Sequence, residues 1–236
     1  MENVILNPYN ENVFVLGATG SGKSTLISTL MGAELKYEKV KFKYHISNGE
    51  KGKYPEIGNS FKSCTDIPGV YGNYIDSAGF LDSKGQEQEI INSYATAKLF
   101  QRGSKTKIVV VIEWASLQSS RGKTIVDVAN RLLELFPVDF KYLIHSIVLA
   151  VSKVNEQEAS EDDLDDVIEQ VNEIVSSNDN ITDQARMVVK TLVEKKSVVL
   201  FPLPQSINAQ VIDRIKNKIA KTRTCILTEN ASVSLS

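Results

Sequence analysis

Cysteine and histidine are nearly missing from this chain, with two of each in 236 residues. Cys64 and Cys225 lie far apart and show no metal-ligand spacing, which points to free thiols in a reducing compartment and to neither being a ligand. His45 stands alone in an alternating run and His145 has no motif around it. No Ser/His/Asp or Cys/His constellation is therefore available for nucleophilic hydrolysis. Net charge is also small, at −2, so no overall basic field recruits nucleic acid or an anionic membrane. No apolar run approaches the length of a membrane span, and Met1-Glu2-Asn3-Val4 does not open a basic-then-apolar leader. Tandem repeats, heptad arrays and Gly/Pro-rich linkers are missing as well. With 42% hydrophobic residues, the expectation is a single cytoplasmic domain over residues 1–227. The polar, serine-rich residues 228–236 read either as a tail or as the start of a further region.

Against this sparse background one string stands out: Gly17-Ala18-Thr19-Gly20-Ser21-Gly22-Lys23-Ser24-Thr25, an ungapped fit to G-x-x-x-x-G-K-[ST]. Glycines let consecutive backbone N–H groups curl around phosphate oxygens, Lys23 reaches the outer phosphates, and the Ser24 hydroxyl is placed for Mg²⁺. Such a loop must leave a buried strand and open a helix whose positive end faces the phosphates. Val13-Phe14-Val15-Leu16 supplies the strand, and Leu26, Ile27, Leu30 and Met31 supply helical spacing that ends at Gly32.

The lysine-rich stretch from Lys36 to Lys62 contains the alternating run Val40 to Ile46 and reads as an edge hairpin plus a loop. Its lysines fit solvated edge-strand positions that block aggregation better than phosphate contacts. Four more apolar segments read as strands, each followed by a helical pattern: Tyr74-Ile75, Ile108 to Ile112, Ile147 to Val151, and Val198 to Phe201. The helical stripes include Leu132 to Phe136, Leu164 to Val175, Val188 to Val193, and Ile212 to Ile219. Strand and helix alternation predicts an α/β fold of three layers, α/β/α, with a mostly parallel central sheet and an edge hairpin. The acidic run Glu161-Asp162-Asp163 follows Ser160 and precedes an apolar stripe, so it reads as a helix start and not a cation site.

Nucleotide chemistry of this kind needs a second acidic residue at a strand end to hold Mg²⁺, usually through water. Asp66 and Asp76, each followed by x-x-Gly, both qualify; Asp76 is favoured because Val70 to Ile75 reads as a strand while Asn59 to Thr65 is polar. The stretch Tyr74-Ile75-Asp76-Ser77-Ala78-Gly79-Phe80-Leu81-Asp82-Ser83-Lys84-Gly85 resembles the γ-phosphate sensor of P-loop GTPases in the septin, chloroplast-import-receptor and immunity-associated group. In that frame Lys62 to Thr65 resembles switch I. The resemblance implies that Thr65 completes the Mg²⁺ shell with Ser24 and Asp76, and that Gly79 senses the γ-phosphate. The base-recognition element falls on Ser152-Lys153-Val154-Asn155, a degenerate [NT]-K-x-D. Lys153 is implied to lie over the guanine ring, while Asn155 stands where an aspartate accepts two hydrogen bonds. An amide oxygen accepts but its NH₂ does not, so guanine selectivity is expected to be weaker than usual.

The position after Gly79 is Phe80, which can neither donate nor accept a hydrogen bond where small GTPases carry a water-orienting glutamine. The expected activity is a GTP·Mg²⁺-dependent switch, alternating with GDP through slow hydrolysis. Dimerisation across the nucleotide, or an effector protein, is implied by the resemblance as the source of stimulation. Gln86 to Glu89, Arg102, Arg121 and Arg131 are further candidates near the reaction, with nothing in the sequence to choose among them. The alternatives are a nucleotide-dependent assembly protein with little turnover and an ATP-binding P-loop ATPase. The ATPase reading is weakened by the lack of an L-S-G-G-Q-like sequence.

Overall fold

The structure is a computed structural model that describes residues 11–40, 43–49, 52–58, 68–77, 105–119, 123–136, 140–155, 161–177, 181–194 and 197–226. Thr65, Asp66, Gly79, Phe80, Gln86 to Glu89, Arg102, Arg121, Cys64 and residues 228–236 lie outside them, as does the helical segment expected after Tyr74-Ile75.

The elements follow the apolar segments closely. Strand β1 (Glu11–Gly17) leads through the glycine loop into helix α1 (Lys23–Leu30). Strands β2 (Lys36–Val40) and β3 (Lys43–Ser47) pair as an antiparallel hairpin that forms a two-stranded sheet of its own. Strands β4 (Gly69–Tyr71) and β5 (Tyr74–Asp76) make a second antiparallel hairpin, and this one supplies the edge of the main sheet. Val70 to Ile75 is thus two strands where one continuous strand was expected. Gly72 turns the chain at φ +59, the left-handed value that a two-residue hairpin turn asks of its first central residue.

The chain continues through β6 (Lys105–Glu113), α2 (Trp114–Ser119), α3 (Lys123–Leu135), a single helical turn at Phe140–Leu143, and β7 (Ile147–Val154). It ends with α4 (Glu161–Ser177), α5 (Asp183–Glu194), β8 (Val198–Pro202), α6 (Ala209–Lys221) and the short β9 (Cys225–Ile226). The acidic run from Glu161 does open a helix, and no cluster of three or more His, Cys, Asp or Glu suited to a metal occurs among the described residues.

The main sheet has seven strands, in the order β4-β5-β1-β6-β7-β8, with β9 pairing antiparallel to the start of β6. From β5 to β8 every neighbouring pair is parallel. Side chains alternate between two faces, as a strand period of two requires. Phe14, Leu16, Ile108, Val110 and Leu149 pack against α3, α4 and α5 on one face. Val13, Val15, Val109, Val111, Val148 and Val199 pack against Leu26, Ile27, Val211 and Ile215 of α1 and α6 on the other. Fully burying one such Val or Ile is worth about 1.5–3 kcal/mol, so strands buried on both faces must be near-continuous apolar runs. That is the three-layer α/β arrangement expected, with six helices of more than one turn among the described residues.

The neighbours of β1 decide where a ligand would go. After β1 the chain returns to pair as β5 on one side, then crosses to pair as β6 on the other. The carboxyl end of β1 is therefore a topological switch point, where open α/β sheets leave a crevice for ligands.

Candidate functional site

The loop that fills this crevice depends on its glycines. Gly17 has φ +155, and a methyl group on it would sit 2.4 Å from the Val111 carbonyl oxygen and 2.8 Å from Ser21 Oγ. No side chain fits there without moving β6 or the loop. Gly20 and Gly22 adopt φ +79 and +96, left-handed values that other residues rarely take. Gly22 is also the N-cap of α1, which has neither a side-chain cap nor an acidic residue of its own in the first turn. The positive end of that helix consequently faces the crevice without a carboxylate from its own sequence.

Within the loop, Lys23 is only 7% exposed, and its ammonium donates to the Gly17 and Ala18 carbonyls at 2.8 and 2.9 Å. Those two carbonyls are neutral acceptors, for which an anionic oxygen would be a stronger replacement. Ser21 Oγ is buried with no hydrogen-bond partner among the described residues. Ala18 and Thr19 are half-buried, Gly20 is exposed, and Thr25 is buried inside α1.

Beside the loop, β5 runs parallel to β1 with Asp76 in register with Val15, and Ser77 Oγ donates to the Val15 carbonyl at 2.9 Å. This fixes Asp76, 1% exposed, so that its Oδ2 accepts from Ser24 Oγ at 2.8 Å. The two sequence-predicted Mg²⁺ residues inside the described regions are thus brought together, 52 positions apart in the chain. A buried carboxylate next to an alcohol is a donor pair that suits a hard cation which keeps several waters and takes its remaining oxygens from phosphates. The residues present fit magnesium.

Tyr71 adds to the surroundings of Asp76. Its ring lies against Gly69, which pairs in register with Asp76. Burial first, then the Asp76 and Glu56 carboxylates, raise its phenol above the usual ionisation range. Burial alone raises Tyr74.

On the far side, β7 ends at the segment expected to recognise a base, Ser152 to Asn155. Ser152 is fully buried, and its hydroxyl donates to the Ser21 carbonyl at 2.6 Å, with the Ile112 carbonyl at 3.3 Å as the weaker alternative. This tie to the glycine loop was not anticipated. The sequence marks Ser152 only as the first position of a degenerate motif, and a small polar residue ending an apolar strand is the signal that could have found it. Lys153 has φ +58, the one non-glycine residue at positive φ among the described residues, and sits where β7 and β8 slip register. A lysine in that conformation carries about 1–2 kcal/mol of strain, a feature that concentrates at functional sites. Its ammonium pairs with Glu113 at 3.1 Å, and Asn155 is exposed. Arg131, in contrast, pairs with Glu134 on α3 at 2.9 Å.

A scan of protein-family models finds none that matches this chain, and a search of curated proteins finds no match either. The case for a function consequently rests on the residues themselves.

Proposed function

We propose that the chain is a guanine-nucleotide-binding protein of the P-loop GTPase kind, a GTP·Mg²⁺-dependent switch with slow intrinsic hydrolysis. The observation that carries this reading is the convergence at the end of β1. There, a loop built on positive-φ glycines, a buried Lys23 ammonium and the Ser24–Asp76 pair at 2.8 Å meet in one crevice.

In this reading the loop amides and Lys23 hold the β- and γ-phosphates, and Lys23 exchanges its two carbonyl acceptors for phosphate oxygens. Ser24 would ligate Mg²⁺ directly and Asp76 through water, with Thr65 joining when a γ-phosphate is present. The metal supplies neutralisation of charge developing between the β- and γ-oxygens. Ser152 holds the phosphate loop in place from behind, and the strained turn at Lys153 presents its aliphatic stem towards a base while Asn155 accepts from it. With Phe80 in place of a water-orienting side chain, hydrolysis waits on a partner, either a second copy across the nucleotide or an effector protein.

Identification of the nucleotide released on denaturing freshly purified protein tests the reading. A guanine nucleotide is expected. Adenine would overturn the base assignment, and no affinity for any nucleoside triphosphate would overturn the site. Hydrolysis per molecule that stays negligible at every protein concentration would favour an assembly role over a switch.

A further inference from the structure

In the main sheet β6 lies between β1, which leads into the glycine loop, and β7, which ends at Val154. Glu113 closes β6, in register with Ser152 of β7. Its Oε2 meets the ammonium of Lys153 at 3.1 Å. The lysine side chain consequently leaves β7 towards β6, the strand nearer the glycine loop, and its stem reaches across between the two strand ends.

Three observations set this pair apart from an ordinary surface ion pair. A carboxylate just before α2 would by itself only favour the dipole of that short helix, yet this one is engaged by a cation on the next strand. Lys153 holds a left-handed backbone, φ +58, where β7 slips register against β8. With the lysine and glutamate side chains 40% and 32% exposed, the pair contributes no more than that backbone costs, so the pair alone does not account for the conformation. The footing of the pair is also fixed. Ser152, next to Lys153, is fully buried and donates to the Ser21 carbonyl at 2.6 Å; its weaker partner at 3.3 Å is the carbonyl of Ile112, next to Glu113. Both ends of the pair therefore stand on one anchored unit that includes the glycine loop.

We propose that Glu113 is a positioning residue for nucleotide binding: it holds the ammonium of Lys153 so that the lysine stem already lies across the ends of β6 and β7 before a nucleoside arrives. The inference rests on the function proposed above, in which that stem lies over a base. A lysine side chain has several rotatable bonds, and ordering them on binding weakens the complex; a stem ordered beforehand by a partner carboxylate does not incur that loss. Glu113 thus acts through Lys153, and on the nucleoside part of the ligand alone.

The test is calorimetric titration of the full chain, with Mg²⁺, against GDP and against inorganic tripolyphosphate, in wild type, Glu113→Gln, Lys153→Met and the double variant. Methionine keeps an apolar stem and removes the ammonium. Glu113→Gln should bind GDP about 3- to 10-fold more weakly, the loss expected from one long side chain left unordered, with tripolyphosphate affinity within about twofold of wild type. Adding Glu113→Gln to Lys153→Met should then cause no further loss, since the carboxylate has nothing left to hold. GDP affinity that is unchanged or tighter in Glu113→Gln, equal losses for the two ligands, or losses that add in the double variant would each overturn the inference. Absence of GDP binding by wild type refutes the function proposed above and this inference with it, whereas wild-type binding that Glu113→Gln leaves unaltered refutes the inference alone. A melting temperature within a few degrees of wild type assigns a loss to the site; should Glu113→Gln unfold, Lys153→Met decides by the same contrast between GDP and tripolyphosphate.

Discussion

Replacing Ser152 by alanine isolates the tie between the end of β7 and the glycine loop. The serine is fully buried, and its one hydroxyl proton goes to the Ser21 carbonyl at 2.6 Å. Alanine keeps the backbone and nearly the same volume but leaves that carbonyl without its donor, a cost of about 1–3 kcal/mol. The cost can appear in either of two places. If the loop stays where it is in the free protein, all of it is lost global stability, roughly 2–4 °C of melting temperature per kcal/mol for a chain of this size. If the loop relaxes away and must be recovered on binding, the same energy reduces nucleotide affinity by about 5- to 150-fold. The second outcome is expected, because a loop with three glycines at positive φ is softer than the sheet it is tied to. Nucleotide titration by calorimetry, paired with a melt of the nucleotide-free protein, separates the two. A Kd within about twofold of wild type, whatever the melting temperature, would refute the argument that Ser152 preorganises the loop.

Gly17→Ala is expected to destabilise the free protein by about 2–4 kcal/mol in denaturant unfolding and to remove nucleotide binding. The reason is that the new methyl meets the Val111 carbonyl at 2.4 Å. Lys153→Gly removes about 1–2 kcal/mol of left-handed strain against an exposed ion pair worth about 0–1 kcal/mol. Stability should hold or rise slightly while discrimination between guanine and adenine nucleotides falls, and unchanged discrimination would separate Lys153 from the base. Tyr71 and Tyr74 ionise above the usual 10.0, so the stability they contribute is complete below that pH and lost as pH rises past their folded values. Ultraviolet titration should show two late phenols, and Asp76→Asn should bring only the Tyr71 phenol forward. An unmoved Tyr71 would contradict the closeness of Asp76.

The glycine loop and its flanks were legible because each residue type there answers a local demand: positive φ, a buried strand, a helix start. The sheet was legible for the same reason, since strands buried on both faces announce themselves as apolar runs. The hairpin at Gly69–Asp76 was missed because Val70 to Ile75 reads as one strand, although Gly72-Asn73 between two short β-forming runs is a two-residue turn signal, which the positive φ of Gly72 fulfils. The pairing of β9 with the start of β6 was also missed, being two residues long and far from its partner in sequence. Asp76 ends a strand, as its flanking residues suggest, yet its contact with Ser24 is a product of sheet register. Ser152 with Ser21, and Glu113 with Lys153, are likewise juxtapositions made by tertiary structure between segments that carry no sequence signal of each other.

Calorimetric titration with GTP, with and without Mg²⁺, of wild type and Lys23→Ala probes the crevice at the end of β1 most directly. Saturable one-to-one binding that strengthens with Mg²⁺ is predicted for wild type. The variant should be weaker by about 10- to 150-fold or more, since a charge-assisted contact is lost. Equal affinity in the two proteins, or no heat of binding in either, would contradict the account.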